Sequence, residues 1–517
     1  MNRTPIGITK FTTIRVSMIL LVAVIVHTTI ASAQTNRIVP KVSTSQSFLD
    51  FADQLELSPK QKQEAQELQG QIELTKQQLS KANATNTPPD VVREIRLDSA
   101  RKLRMLKGQL TAILSDIQRE KYAELRHLPA SNYENTKNTE TASENLISTD
   151  SSGIKVKVRP ILTDDKARQL AGELRQIYSD TPAHWPAPNL DETVKPYFVE
   201  IGLLPPVAYP TSNVYTDLKA ELGKRLFFDP RLSGSGQIAC ASCHDPDLAW
   251  TDGRTVSFGH ARKVLKRNAP MILNAGQLRT PFWDGRVNSL EEQAMAVLNN
   301  EDEMRSGAEL VQSRLLSIDG YTNQFATVFG SAEPTIGRVV QAIATFERTI
   351  NSRANAFDNF LRGDTNALSD SAVRGLNLFR TTARCINCHN GPNFTDGRFH
   401  NEGLSYYGRK YEDLGRYIVT HQADDVGRFK TPSLRNVSCT GPYMHNGLFE
   451  LDGVLAMYNA GMPNLRPTPK QKDDPLFPKK SPLLKPLGLN SQDLADLKAF
   501  LESLTEAKFH VRPPESF

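Results

Sequence analysis

The chain has 517 residues, a length that suits two to four domains. Its 62 basic and 57 acidic residues leave a formal net charge of +5, too small to suggest a nucleic-acid partner. Arg3, Lys10 and Arg15 precede an apolar run from Met18 to Val26, and Ala31-Ser32-Ala33 supplies an A-x-A cleavage site before Gln34. This pattern reads as a secretory signal peptide over residues 1–33, since nine apolar residues are too few to cross a bilayer. Cleavage would remove three basic and no acidic residues and lower the net charge to +2. No later stretch is long and apolar enough to span a membrane, so a soluble, exported, periplasmic protein is expected.

Residues 46–128 read as an N-terminal helical hairpin. Ser58 is placed to cap a helix whose first position is Pro59. Asn86-Thr87-Pro88-Pro89-Asp90 breaks the pattern, and a second helical stretch runs from Val91 towards Arg126. Leu57-Ser58-Pro59-Lys60-Gln61 and Leu114-Ser115-Asp116-Ile117-Gln118 share an L-S-x-x-Q pattern, which resembles the LTxxQ motif of periplasmic Spy/CpxP-like helical proteins with Ser for Thr. A plain spacer or dimerisation arm explains the region at least as well. Residues 129–158, dominated by Asn, Thr, Ser and Glu, read as a disordered linker.

From residue 159 the composition turns globular. Cys240-Ala-Ser-Cys243-His244 and Cys385-Ile-Asn-Cys388-His389 are both C-x-x-C-H, the attachment signature of a c-type haem. Two thiols one turn apart can bond to the porphyrin edge, and the histidine that follows is placed to ligate the iron. The motifs use four of five cysteines, leaving Cys439 over. A structural zinc site would want four ligands in paired knuckles, and a redox dithiol has no need of the trailing histidine. Flanks repeat as well. Gly223-Lys-Arg-Leu226-Phe227 and Gly375-Leu-Asn-Leu378-Phe379 precede the motifs, and Thr-Asp-Gly-Arg follows each, at 251–254 and 395–398. Two related haem domains in tandem are expected.

The order LGKRLFFDPRLSGSGQIACASCHDP resembles the bacterial di-haem cytochrome c peroxidase family, including the MauG-type enzymes, and the resemblance runs over residues 200–505. It implies a mainly α fold, with a peroxidatic haem domain at 159–350 and an electron-transfer haem domain at 351–510. Two covalent haem c groups are implied, held by Cys240, Cys243, Cys385 and Cys388 and ligated by His244 and His389. His260 matches the position that ligates the first iron in resting peroxidases and is absent from that role in MauG-type enzymes; an ordinary loop histidine is the other reading. Asn268, Thr440 and the carbonyl of Pro442 resemble the ligands of a calcium ion between the haem domains, for which neutral oxygen donors are suited. Trp283, in Phe282-Trp283-Asp284-Gly285-Arg286, resembles the tryptophan between the haems. Gln293 and Glu303 match the distal glutamine and the catalytic glutamate, where peroxide chemistry needs a group that takes a proton and returns it. Val297 stands where the family usually has proline.

The sixth ligand of the second haem separates subfamilies. A Met thioether raises the potential, whereas a Tyr phenolate favours oxidised iron. The ungapped match puts Tyr458 at that position, with Met457 as the alternative under a shifted helix register. Met444 reads as packing and His445 as a hydrogen-bonding neighbour of the site. The implied function is reduction of hydrogen peroxide to water, with electrons from a cytochrome c or cupredoxin. The alternatives are a MauG-like enzyme oxidising a partner protein and a pure electron-transfer cytochrome. Family members commonly form dimers, so a homodimer is compatible with the resemblance.

Overall fold

The computed structural model describes residues 55–84, 106, 147–149, 155–507 and 510–515. The expected signal peptide (1–33) and nearly all of the second expected hairpin helix (91–126) lie outside the described residues. No helix among the described residues is long and apolar enough to cross a membrane. The chain divides into two compact units, 1–140 and 141–517.

In the first unit α1 spans Pro59–Ala84. Its start is a reciprocal cap. Ser58 Oγ accepts the Gln61 backbone N–H at 3.3 Å, and Gln61 Oε1 accepts the Ser58 N–H at 2.9 Å. Ala65, Ile72 and Thr75 are buried, and the charged side chains of Lys76 and Glu73 pair at 2.7 Å on the exposed side.

The second unit is mainly helical with little strand. A two-stranded antiparallel ladder, β1 (Ile147–Thr149) with β2 (Lys155–Lys157), stands inside the stretch that composition marks as linker. The helices that follow are α2 (Asp164–Tyr178), α3 (Asp217–Phe228), α4 (Leu290–Asn299), α5 (Gly307–Leu316), α6 (Asp319–Phe329) and α7 (Ile336–Glu347). Then come α8 (Ala356–Leu361), α9 (Asp370–Arg380), β3 (Phe399–His400), α10 (Tyr417–Thr420), β4 (Phe429–Lys430), α11 (Leu451–Asn459) and α12 (Ser491–Ser503). Strands β3 and β4 pair antiparallel, with Phe399 opposite Lys430 and His400 opposite Phe429.

Two hydrophobic cores are built to one plan. In the first, α3 crosses α7; in the second, α9 crosses α12. Gly223 lies so close to α7 that a Cβ there would sit 1.9 Å from the Ala342 carbonyl oxygen and 2.9 Å from the Phe346 Cβ. Gly375 repeats this against α12: a Cβ would sit 1.9 Å from the Asp496 carbonyl oxygen and 2.8 Å from the Phe500 Cβ. One turn further on, Phe227 meets Phe346 edge-on with centroids 5.3 Å apart, and Phe379 meets Phe500 at the same 5.3 Å. The repeated Gly-x-x-x-Phe in the sequence is therefore a repeated helix crossing. Glycine lets the backbones touch, and the phenylalanine fills the space beyond. Each crossing leads its chain into a C-x-x-C-H turn.

Buried ion pairs tie long-range segments around the second core. Arg435, with its side chain fully buried, is held by both Asp358 oxygens at 3.0 Å and donates to the carbonyls of Pro392 and Gly202. Arg374 likewise forks onto Asp496 of α12 at 2.7 and 2.8 Å.

Gly375→Ala must push two helices apart and should destabilise the second unit by about 1–3 kcal/mol or more. Gly172→Ala, on an open face of α2 with nothing within 4 Å, should be neutral or stabilise by up to about 1 kcal/mol. Thermal unfolding of both variants checks this; equal effects would refute the crossing as the reason for the glycine.

Candidate functional site

Each C-x-x-C-H motif folds as one tight helical turn. The Cys243 and His244 amides donate to the Cys240 carbonyl at 3.2 and 3.0 Å, and those of Cys388 and His389 donate to Cys385 at 3.2 and 2.9 Å. Each turn brings two sulfurs and an imidazole to one side. No two of these cysteines pair with each other, and burial raises all four thiols.

Both histidines are oriented alike. His244 Nδ1 bonds the Trp250 carbonyl at 3.1 Å, and His389 Nδ1 bonds the Phe394 carbonyl at 3.1 Å. Burial lowers both imidazoles, which favours the neutral ring. With Nδ1–H donating, Nε2 keeps its lone pair for a metal. Trp250 and Phe394 occupy equivalent places, since both adopt positive φ (61° and 52°). Their rings pack 5.9 Å from Phe227 and Phe379 respectively.

Both turns line one cavity of about 1130 Å³, walled by apolar side chains with a few polar groups. A haem is a large, flat, apolar group, and this cavity offers each one a thiol pair, a neutral imidazole with a free Nε2 and apolar walls. The residues fit two c-type haems.

Beside the first turn, α4 presents Gln293 and, one turn on, Val297 to the cavity. Glu303 lies in the turn after α4, half-buried, and also lines the cavity. Its backbone is pinned, with its amide on the Asn300 carbonyl at 3.1 Å and its carbonyl receiving the His260 amide at 2.8 Å. Burial raises its carboxyl; Arg286 opposes this and Asp302 adds to it. Glu301 and Asp302 are exposed. His260 is not among the residues lining the cavity; its Nδ1 is buried, with no hydrogen-bond partner among the described residues.

Trp283 lines the same cavity. Its indole N–H donates to the Asn268 carbonyl at 3.0 Å, and its own carbonyl accepts the Lys430 amide at 2.8 Å. Its ring lies 6.5 Å from His445, which stacks on Phe429 at 3.6 Å and 9°. Burial lowers the His445 imidazole to about 4, against the pull of Asp413. Arg267 locks this region by donating to Asp413 at 2.7 and 2.8 Å and to Asp284 at 2.6 Å. Asn268, Thr440 and Pro442 all line the cavity. Asn268 Nδ2 donates to the Arg254 carbonyl at 2.7 Å, and Thr440 Oγ1 donates to that of Val437 at 3.1 Å, so each side chain keeps oxygen lone pairs for a cation.

On the second side, α11 turns Tyr458 into the cavity, while Met457 is not among the lining residues. Burial pushes the Tyr458 phenol well above its usual range. Met444 lines the cavity. Cys439 is exposed.

Four charged groups on the wall escaped the sequence reading. Burial pushes Glu347, at the end of α7, up to about 8, and Glu402 up to about 7. Burial opposes charge on His400, but the Asp396 carboxylate 2.8 Å away and the Cys388 thiol raise it to about 10. Lys430 is the fourth. The one available signal was an acid in an apolar helix, Glu347 after Ile343, Ala344 and Phe346.

The di-haem cytochrome c peroxidase family model matches residues 217–366, from the first crossing helix through the first attachment turn to α8. The cytochrome-c peroxidase IdrP1 of Denitromonas iodatirespirans is 39% identical over 348 residues, covering 61% of this chain and 89% of the relative. The methylamine utilization protein MauG of Methylorubrum extorquens is 41% identical over 313 residues, covering 60% and 84%. A crystal structure of a MauG-like protein associated with microbial copper homeostasis superposes with a TM-score of 0.52 at 33% identity, over 59% of this chain and 93% of that one. Relatives of 39% and 41% identity, matched over 89% and 84% of their own length, mean that this chain belongs to the di-haem cytochrome c peroxidase family.

Proposed function

We propose that this chain is a periplasmic di-haem c-type peroxidase that reduces hydrogen peroxide to water with electrons from a small redox protein, a cytochrome c or a cupredoxin. The observation that carries the reading is Glu303 with Gln293 on the wall of the cavity that holds His244. Electron transfer alone needs no such pair.

The two tandem haem c domains are 159–350 and 351–510. In the first, His244 Nε2 and the Cys240 and Cys243 sulfurs hold one haem; in the second, His389, Cys385 and Cys388 hold the other. When bound, the haems supply the two electrons that cleave the peroxide O–O bond. The chain's own part is proton transfer and positioning. Glu303 takes the proton from the inner peroxide oxygen and returns it to the departing one, which leaves as water. Burial raises its carboxyl and so brings it closer to the working pH for both steps. Gln293 orients the peroxide through its amide. Val297 in place of proline leaves a backbone N–H in α4 and a branched wall one turn from Gln293. Trp283, held at its indole N–H and its carbonyl, bridges the two domains and passes the electron. Asn268, Thr440 and the Pro442 carbonyl hold a calcium ion between the domains, a set of neutral oxygens suited to it.

A second reading is favoured by one observation. Tyr458 rather than Met457 lines the cavity, which supports a phenolate sixth ligand on the second haem and a MauG-like oxidation of a partner protein. The position of His260 off the cavity wall supports a first haem free of that ligand, in the same direction.

Glu303→Gln should slow the peroxide-dependent spectral change by about 10²–10⁴-fold in stopped flow. Because burial raises the Glu303 carboxyl, the wild-type rate should fall as pH drops through that raised value, and the variant should lose this limb. An unchanged rate would remove Glu303 from the mechanism. In EPR of the oxidised protein, Tyr458→Phe should alter the low-spin signal while Met457→Leu leaves it intact. The reverse would assign the ligand to Met457.

A further inference from the structure

The cavity wall carries a cation without a counter-ion. Lys430, in β4, is only 8% exposed, yet its side chain lines the cavity. Its Nζ donates to one carbonyl, that of Thr280, at 2.5 Å. No carboxylate among the described residues forms an ion pair with it. Asp284 is the nearby acid, but its oxygens are taken by Arg267 at 2.6 Å and Arg286 at 3.2 Å. Burial accordingly pulls the ammonium down to about 8, with Asp284 opposing only in part. A buried, unpaired ammonium is costly, and proteins keep one where an anion arrives to meet it.

The position of Lys430 narrows the choice of anion. Its backbone amide is anchored on the carbonyl of Trp283, which lines the same cavity as both attachment turns. Across the β3–β4 ladder it faces Phe399, next to His400, and the neighbouring Thr431 carbonyl accepts the Thr395 hydroxyl. The segment that carries Lys430 is thus stitched to the loop after the second motif on one side and to Trp283 on the other. A haem bound through its thioether edge turns its propionate carboxylates away from its cysteines. Propionates are the anions the cavity's own occupants would carry to this wall.

We propose that Lys430 is a cofactor-positioning residue whose ammonium binds a haem propionate on the Trp283 side of the cavity, fixing the tilt of that haem against the inter-domain tryptophan. The arrangement rests on the reading that both motifs carry haem. Thr280 holds the ammonium by its carbonyl, leaving the other N–H donors for the carboxylate. A carboxylate paired with a buried cation stays ionised, and the cation favours the reduced haem.

The test compares the haem-loaded full chain with Lys430→Met and Lys430→Arg. Pyridine haemochrome spectra first count the haems in each; a wild-type protein without covalent haem would defeat the functional reading itself. With haem present, resonance Raman should show a propionate bending band shifted to lower frequency in Lys430→Met and restored in Lys430→Arg. Spectropotentiometry should show at least one midpoint potential lowered in Lys430→Met. An unshifted propionate band in loaded Lys430→Met would overturn the proposal, even with a lowered potential, since charge at a distance explains that alone. If Lys430→Met fails to load, the polar Lys430→Gln takes its place, and an unshifted propionate band in that loaded variant would overturn the contact.

Discussion

Everything at this site depends on a hydrogen bond made twice, from an imidazole Nδ1–H to the carbonyl of an aromatic residue with positive φ. Trp250 serves His244 and Phe394 serves His389, both at 3.1 Å. The bond sets the tautomer, aims Nε2 into the cavity and fixes the ring relative to the two sulfurs of the same turn. The left-handed backbone that aims each carbonyl costs energy in a bulky residue. Packing offsets it, because the same aromatic ring closes against Phe227 in one core and Phe379 in the other. Those phenylalanines are in place because Gly223 and Gly375 let their helices touch α7 and α12. Ligand geometry and core packing are therefore one problem, solved the same way in each half.

Between the halves the physics changes from apolar to ionic. Arg267 forks between Asp284 and Asp413, which lie far apart in sequence, and Arg416 donates to the carbonyls of Asp284 and Gly285 at 2.8 and 2.7 Å. These bonds fix Asp284 and Gly285, and the Lys430 amide holds the Trp283 carbonyl. Its indole has one polar bond, to Asn268, whose amide reaches the His445 carbonyl at 2.8 Å. Trp283, Asn268 and His445 thus share one hydrogen-bonded frame. Displacing any member would be felt by the others.

Much of this was legible in the residues. The two C-x-x-C-H turns, the mainly helical class and the Ser58–Pro59 helix start are local patterns, and local patterns survive folding. The Gly-x-x-x-Phe repeat was visible as a repeat, but its cause, a helix crossing, needs the partner helix, more than a hundred residues away. Tyr458 lines the cavity and Met457 does not, a difference of helix face that neighbouring residues in sequence do not reveal. His260 was legible only by motif position, and its backbone amide bonds the Asp302 and Glu303 carbonyls. Strands β1 and β2 arose in a polar stretch whose composition carries no strand signal. Glu347, Glu402 and Lys430 were missed because a charged letter does not say that it is buried. Burial is a property of the fold, and the charges that matter most here are the ones folding takes out of water.

The central claim is that the two turns exist to bind haem covalently. Its most direct test is the intact mass of the protein, matured in a host that attaches c-type haem and measured under denaturing conditions, with titration of free thiols. The account predicts the polypeptide plus two haem groups that acid-acetone does not extract, and one free thiol, Cys439. A bare polypeptide mass with all five thiols titrating, or with bound zinc in place of haem, would contradict it.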